Sequence, residues 1–453
     1  MTIRKHLGRR EFLNSSLRGL AGAAGLAAGA KRVSGQATSP AQASPAAPAP
    51  QAAATPEPPK VKGFRTLGRT GFRVSDIGTG SIYDQGVLRA MLEAGVNYID
   101  TAESYPGHHR LVGGAIKGLD RKSLFISTKM LMDEGDISRE GLLKRARKGL
   151  EDLGTDYVDC LMMHLPEKVE TLGLASFHQA MSQLKTEGRL RFVGVSHHGS
   201  FWFRDPETAM DRVLLAAAED GRFDVFLFAY NFLQMDGGQR VLEACRRKNI
   251  GAALMKTKPV ITYDSLKSRI EALEKAGKAV DPLFREGLQR YKEKADKAEE
   301  FIAKHGLKNP EEIKEASVRF VLDNPDVHTV CCSARTFDEA ERFVRLSGSR
   351  LSDGDKAKLA AYRESCGQLY CRHACGLCEP SCPQGVPVNT IMRYNHYFET
   401  QGREKYAMSL YAAIPGSRAE VCHSCPGHCE RACPYGVAIQ GMLLVAHHQL
   451  TLA

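Results

Sequence analysis

Beyond its N-terminal stretch the chain has no apolar run long enough to span a membrane, and its basic residues are not interleaved with aromatics. The first absence leaves no stable membrane anchor, because a spanning helix needs about 20 consecutive apolar residues. The second argues against nucleic acid as a partner. The formal net charge of +10 comes partly from the N-terminus and partly from lysine-rich helical surface over 267–314. Large apolar side chains are also nearly missing from 31–60, which is Ala, Pro, Ser and Gln, so this stretch is expected to be a disordered linker. The roughly 390 residues that follow are 61–453, and with 43% hydrophobic and 25% charged residues overall the chain has ordinary globular proportions.

The segment before the linker reads as a signal. Arg9-Arg10-Glu11-Phe12-Leu13 is a twin-arginine sequence, followed by a weakly apolar stretch over 17–30 and a small-x-small cleavage site at Ala28-Gly29-Ala30. Residues 1–30 are therefore expected to be a twin-arginine (Tat) signal peptide that sends the protein to the periplasm. The alternative is an uncleaved membrane helix, against which stand its short length and its Ala and Gly content. The Tat route carries folded proteins, which suits a chain whose metal centres must be assembled before export.

Such centres are indicated near the C-terminus. Eight of the thirteen cysteines form two runs, Cys371-x3-Cys375-x2-Cys378-x3-Cys382-Pro383 and Cys422-x2-Cys425-x3-Cys429-x3-Cys433-Pro434. Four thiolates within a dozen residues can converge on one iron-sulfur cube, and a terminal Cys-Pro is how bacterial two-cluster ferredoxins present the ligand of the other cluster. Two 4Fe-4S clusters are expected, with zinc and disulfides as alternatives. Zinc sites of four cysteines usually come as two CxxC pairs across a longer loop. Each run has one residue more than the commonest spacing, within Arg372-His373-Ala374 and within Pro426-Gly427-His428, and that residue is expected to bulge outward. Cys366 lies near enough in sequence to compete as a ligand, and Cys160, Cys245, Cys331 and Cys332 read as buried or spare thiols.

Over 61–363 short apolar runs alternate with amphipathic stretches, the pattern of strand and helix that builds a parallel sheet. Strands are expected at 76–80, 97–100, 124–129, 157–164, 192–195, 224–230, 251–255 and 329–332, with helices at 85–94, 138–153, 175–187, 238–247 and 310–322. Eight such strands predict a (β/α)8 TIM barrel, with 64–75 as a hairpin closing its floor and 364–453 as a smaller, mainly α-helical iron-sulfur domain. Chemistry in such a barrel sits where strands end. Asp100, Lys129 and His164 each terminate an apolar run, and Tyr105 follows Asp100 in the next loop. The loops 106–109, 166–171 and 258–264 are expected to set the substrate, and His108, His109, His197, His198, His447 and His448 read as solvated surface.

These segments resemble the aldo-keto reductase family over essentially the whole barrel. The resemblance rests on Leu67-Gly68-Arg69-Thr70-Gly71, on 95–105 with Asp100-Thr101-Ala102-Glu103-Ser104-Tyr105, on Ser127-Thr128-Lys129, on 150–159 before His164, and on Gly194-Val195-Ser196-His197. The two cysteine runs resemble the α-helical ferredoxin module fused to some bacterial members. The family likeness implies hydride transfer between NADP(H) and a small carbonyl or alcohol. Tyr105 would be the general acid, Lys129 would lower its pKa, Asp100 would hold Lys129, and His164 would hydrogen-bond the carbonyl oxygen.

The implied cofactor contacts are Ser196, His197, Tyr230, Lys256, Ser333 and Arg335. His197 stands in place of the usual Asn, Leu227 in place of the usual Gln, and Met255 with Lys256 where many members carry a stacking ring. No GxGxxG is present, as expected if the nucleotide binds to barrel loops. A nicotinamide gives two electrons as a hydride whereas a cluster takes one, and no flavin motif is visible to split the pair. Three readings follow: a reductase whose clusters pass electrons to a redox protein partner, a reductase with purely structural clusters, or a barrel that has lost nicotinamide turnover and serves as a scaffold.

Overall fold

The computed structural model describes residues 57–198, 209–259, 267, 270–271, 274–277, 279–304, 310–373, 375–399 and 401–451. The Tat signal, most of the linker, Ala374 and most of the 258–264 loop lie outside the described residues.

Eight parallel strands close into a barrel: β3 (Ile77–Thr79), β4 (Tyr98–Asp100), β5 (Phe125–Leu131), β6 (Val158–His164), β7 (Leu190–His197), β8 (Val225–Ala229), β9 (Gly251–Met255) and β10 (Thr329–Cys332), the last pairing back to β3. Every residue of β5, β6 and β8 is buried, as expected for strands covered on both faces. The interior is filled by Leu67, Tyr98, Phe125, Met162, Leu227 and their neighbours, with Tyr98 and Phe125 stacked at 5.5 Å. A larger apolar layer lies between the strands and the surrounding helices.

Before the barrel, β1 (Phe64–Thr66) and β2 (Arg73–Ser75) pair antiparallel with Phe64 opposite Ser75. This hairpin docks on the floor through Gly68, which has φ +48 and sits so close to the start of β9 that a Cβ would lie 2.4 Å from the Gly251 nitrogen. Only glycine satisfies both demands. Helix starts are set locally. Asp84 accepts the Val87 N–H, Ser138 accepts the Gly141 N–H, and Ser352 with Asp355 forms a capping box. Helix Met210–Asp220 adds to the expected set, and so does helix His108–Ile116, which replaces the expected 106–109 loop.

The C-terminal region is helical, with Val388–Glu399, Glu404–Ala412, His428–Ala432 and Ile439–Leu450 as its helices. The long helix Pro282–Lys304 crosses Ile439–Leu450 at Gly287 and Gly441, where a Cβ on either would fall within 3 Å of the other's carbonyl oxygen. Two glycines thus let the backbones touch, and residues 57–453 form one compact unit. Among the described residues no helix is long and apolar enough to cross a membrane.

Candidate active site

β4, β5 and β6 each deliver one polar side chain to the C-terminal face. Asp100 and His164 end their strands, whereas Lys129 is the fifth of seven residues in β5, which continues through Met130 and Leu131. Lys129 Nζ donates to Asp100 at 2.8 Å and to the Thr101 carbonyl at 2.7 Å, and lies 3.4 Å from the Tyr105 hydroxyl. Tyr105 meets His164 edge to face at 6.2 Å between ring centroids, and Ser104 Oγ lies 3.5 Å from His164 Nδ1. Four residues named from sequence therefore converge.

Their electrostatics correct one expectation. The Tyr105 phenol is not lowered by Lys129. Burial, and then the negative charge of Asp100, push it well above its ordinary value, and the cation opposing this is Arg403. Burial also pushes the Asp100 carboxyl up against the pull of Lys129. His164 is driven well below its usual value by burial and then by Lys129, so it is neutral at pH 7.

Asp100 and Tyr105 line a cavity of about 450 Å³ that passes the ends of β3, β9 and β10, and Lys129 and His164 stand behind them. Lys256, Ser333 and Arg335 line it. Lys256 is held at φ +58, a conformation costly for a residue with a side chain, and its carbonyl accepts from Asn231 Nδ2 at 2.9 Å. Its ammonium is lowered to about 7 by burial and then by Arg393. The Ser196 hydroxyl is buried with no hydrogen-bond partner among the described residues. Ser196 and His197 lie behind the cavity wall, and His198 is the residue of that segment that reaches it. Tyr230 is placed elsewhere: its ring stacks on Phe320 at 5.8 Å and its hydroxyl donates to Gln239 at 3.2 Å, outside the barrel. Leu227 is packed in the barrel interior.

The cavity is roofed by the C-terminal region, with Tyr370, His373, His396, Tyr397 and Arg403 over the barrel mouth. Arg393 is fully buried and donates to the His198 carbonyl at 3.4 Å. None of this roof was read from sequence. The signal lay in the extra residue of the first cysteine run, and neither described residue of that gap, Arg372 or His373, points outward. Arg372 turns in to donate to the Gly367 and Tyr370 carbonyls at 2.6 and 2.8 Å, and His373 is buried against the cavity.

The cysteines group across the two runs. Cys371, Cys375, Cys378 and Cys433 surround one small pocket, and Cys382 acts electrostatically on Cys422 and Cys429 beside Cys425. Burial first, then neighbouring negative charge, pushes the Cys422 and Cys429 thiols up to about 12. The two halves repeat a local frame. Glu379 accepts the Asn389 N–H at 2.6 Å and Glu430 the Gln440 N–H at 2.8 Å, with Gly385 and Gly436 at φ +62 and +63. The repeat is legible afterwards in Cys378-Glu379 to Asn389 against Cys429-Glu430 to Gln440. Among the described residues no three His, Cys, Asp or Glu side chains are arranged to hold a single metal ion. Cys366 packs instead in an apolar cluster with Phe284 and Tyr362, and Cys160, Cys245, Cys331 and Cys332 are buried thiols.

Of the six histidines expected at the surface, four are buried and two, His447 and His448, are half-buried. His108 bonds Thr101 Oγ1 at 2.8 Å and the Ile82 carbonyl at 2.9 Å, and His109 bonds Thr128 Oγ1 at 2.8 Å, both buried. His197 and His198 are buried as well, His447 bonds the Tyr411 hydroxyl at 2.7 Å, and His448 stacks on Phe284 at 4.4 Å.

Methylglyoxal reductase DkgB of Escherichia coli O157:H7 is 33% identical over 126 residues, covering 27% of this chain and 46% of its own. An aldo-keto reductase of Mycolicibacterium vanbaalenii is 38% identical over 130 residues, 27% and 45% respectively. The chain thus spans under half the length of these curated relatives. Among solved structures, an aldo-keto reductase from Klebsiella pneumoniae in complex with NADPH aligns at 20% identity over 68% of this chain and 95% of its own, with a TM-score of 0.45. The family model described as "Aldo/keto reductase family" matches residues 82–364, which hold seven of the eight barrel strands, and the chain belongs to the aldo/keto reductase family.

Proposed function

We propose that this protein is a periplasmic NADP(H)-dependent oxidoreductase that interconverts a small carbonyl and its alcohol and carries two 4Fe-4S clusters in its C-terminal helices. The observation that carries the reading is Lys129, bonded to Asp100 and 3.4 Å from the Tyr105 hydroxyl, with His164 facing the same ring. Tyr105, kept protonated by burial, is a loaded acid that gives its proton to oxygen as charge develops there. Neutral His164 donates a hydrogen bond to that oxygen, and Asp100 with the Thr101 carbonyl keeps Lys129 in place. The nucleotide, when bound, supplies the hydride. Ser333 and Arg335, which line the cavity, fit its phosphates. The name of the DkgB relatives supports a small carbonyl as substrate.

The cross-grouping of Cys433 with the first run and Cys382 with the second supports two four-cysteine cages. The Val386 N–H donates to Cys382 Sγ at 3.4 Å, which fixes where that sulfur sits. The cluster reading implies a redox protein partner. The Arg9-Arg10 sequence supports export. Leu227, buried where a cofactor amide is expected, favours a second reading in which the barrel is a scaffold without nicotinamide turnover.

The deciding experiment titrates anaerobically purified mature protein with NADPH and NADP, following fluorescence, with iron and sulfide measured on the same sample. Micromolar binding with about eight irons per chain supports the proposal. Eight irons without nucleotide binding selects the scaffold, and nucleotide binding without iron removes the clusters.

A further inference from the structure

The roof over the barrel mouth carries a cation, Arg403, that pairs with no acid among the described residues. Arg403 follows Gly402, at φ +62, in the turn between helices Val388–Glu399 and Glu404–Ala412, and its N–H donates to the Tyr397 carbonyl at 3.1 Å. Its guanidinium carbon lies 4.0 Å from the Tyr406 ring centroid, 5.3 Å from Tyr83, 5.6 Å from Tyr397 and 5.8 Å from Tyr105. It therefore lies beside the ring of the tyrosine that the reductase reading makes the acid.

Every carboxylate lining the cavity has a partner elsewhere. Asp100 is held by Lys129, Asp84 by the Val87 N–H, Glu311 by Lys314, Glu315 by Arg319 and Glu339 by the Arg335 N–H. Among the described residues none pairs with Arg403, whose Nη2 is buried without an acceptor. Lys256 Nζ also lies on this side, 5.6 Å from the Tyr397 ring, but burial lowers it to about 7, so Arg403 is the main cation there. Arg403 is half-buried, but its buried Nη2 has no acceptor, and an arriving anion would satisfy it with a charge-assisted hydrogen bond.

We propose that this cavity selects carbonyl compounds that also bear a carboxylate, which Arg403 grips while the carbonyl oxygen meets the Tyr105 hydroxyl. The substrate class deepens the reductase reading and rests on it. The tyrosine rings hold the guanidinium by cation–π contact, and its Nη2 is shielded from water, which strengthens a bond formed there. Arg403 belongs to the C-terminal region, so the selectivity is a property of the whole chain and not of the barrel. The clusters take no part in it.

The test uses the full mature protein and two probe pairs, glyoxylate and 4-oxobutanoate against their methyl esters. Binding is read by calorimetry and turnover by NADPH oxidation. The acids should bind at least about tenfold more tightly than the esters. Arg403→Gln should bring that ratio close to one, acting on Kd and KM, and Arg403→Lys should restore part of it. Equal affinity for acid and ester in the native protein overturns the proposal, and so does a ratio that Arg403→Gln leaves intact. If Arg403→Gln does not fold, the native acid-to-ester ratio with Arg403→Lys decides. Acid binding that depends on Arg403 without any NADPH oxidation keeps the carboxylate site and sinks the reductase reading instead.

Discussion

Replacing Lys129 with Met tests the buried charge pair directly. The Lys129 and Asp100 side chains are 1% and 7% exposed and 2.8 Å apart, so each is the other's main counter-charge. Met approximates the Lys stem, so the change removes charge while leaving little cavity. Losing one partner of such a pair costs about 3–5 kcal/mol, because an uncompensated carboxylate stays buried. Burial already pushes the Asp100 carboxyl up with Lys129 present; without it, nothing opposes the rise and the folded state takes a proton. A carboxyl whose folded pKa lies above its unfolded value loses stability as pH rises between the two. Lys129→Met should therefore lie closest to the native protein at about pH 5 and fall furthest below it at about pH 8. The assay is a set of urea midpoints across this range for Lys129→Met, Asp100→Asn and the double variant. The double variant should be more stable than Lys129→Met alone, since no buried charge remains. A pH-independent loss in Lys129→Met, with singles that simply add, would refute this account of the site.

Three further outcomes follow. Tyr105→Phe keeps the ring between Lys129 and His164 but removes the proton, so carbonyl reduction should fall by about 10²–10⁴ in kcat/KM with iron content unchanged; retained turnover removes Tyr105 as the acid. Cys433→Ala should disturb the cluster built on Cys371, Cys375 and Cys378, and Cys382→Ala that on Cys422, Cys425 and Cys429. Electron paramagnetic resonance of each reduced variant would show this, and damage confined to the variant's own run refutes the cross-wiring. Burial holds His108 and His109 at about 4, so the folded state binds fewer protons than the unfolded chain below pH 6.5, and stability should fall as pH drops towards 4. Acid-unfolding curves of a His108→Asn, His109→Asn variant should be flatter over that interval, and an unchanged slope contradicts the assignment.

Much of the barrel is written in local pattern. Strands at 251–255 and 329–332 match β9 and β10 residue for residue, because a short buried run bounded by turns is a local property of the chain. β5 and β7 run further than expected, since pairing with neighbours extends a strand through polar positions such as Ser196 and His197. Helix His108–Ile116 was hidden by its two histidines, whose partners Thr101, Ile82 and Thr128 come from other elements.

The sequence by itself determined the period of strand and helix, the floor hairpin, the eight clustered cysteines and the set Asp100, Tyr105, Lys129 and His164, all of which depend on residue type at fixed local spacing. Only the tertiary structure decided which cysteines stand together, that Tyr230 faces away from the cavity, that the Tyr105 phenol is pushed up rather than down, and that Arg403 overhangs it. The physical reason is range. Periodicity and turn chemistry act between near neighbours in the chain, whereas burial and charge act through space, here between a loop at 101–107 and a turn some 300 residues later.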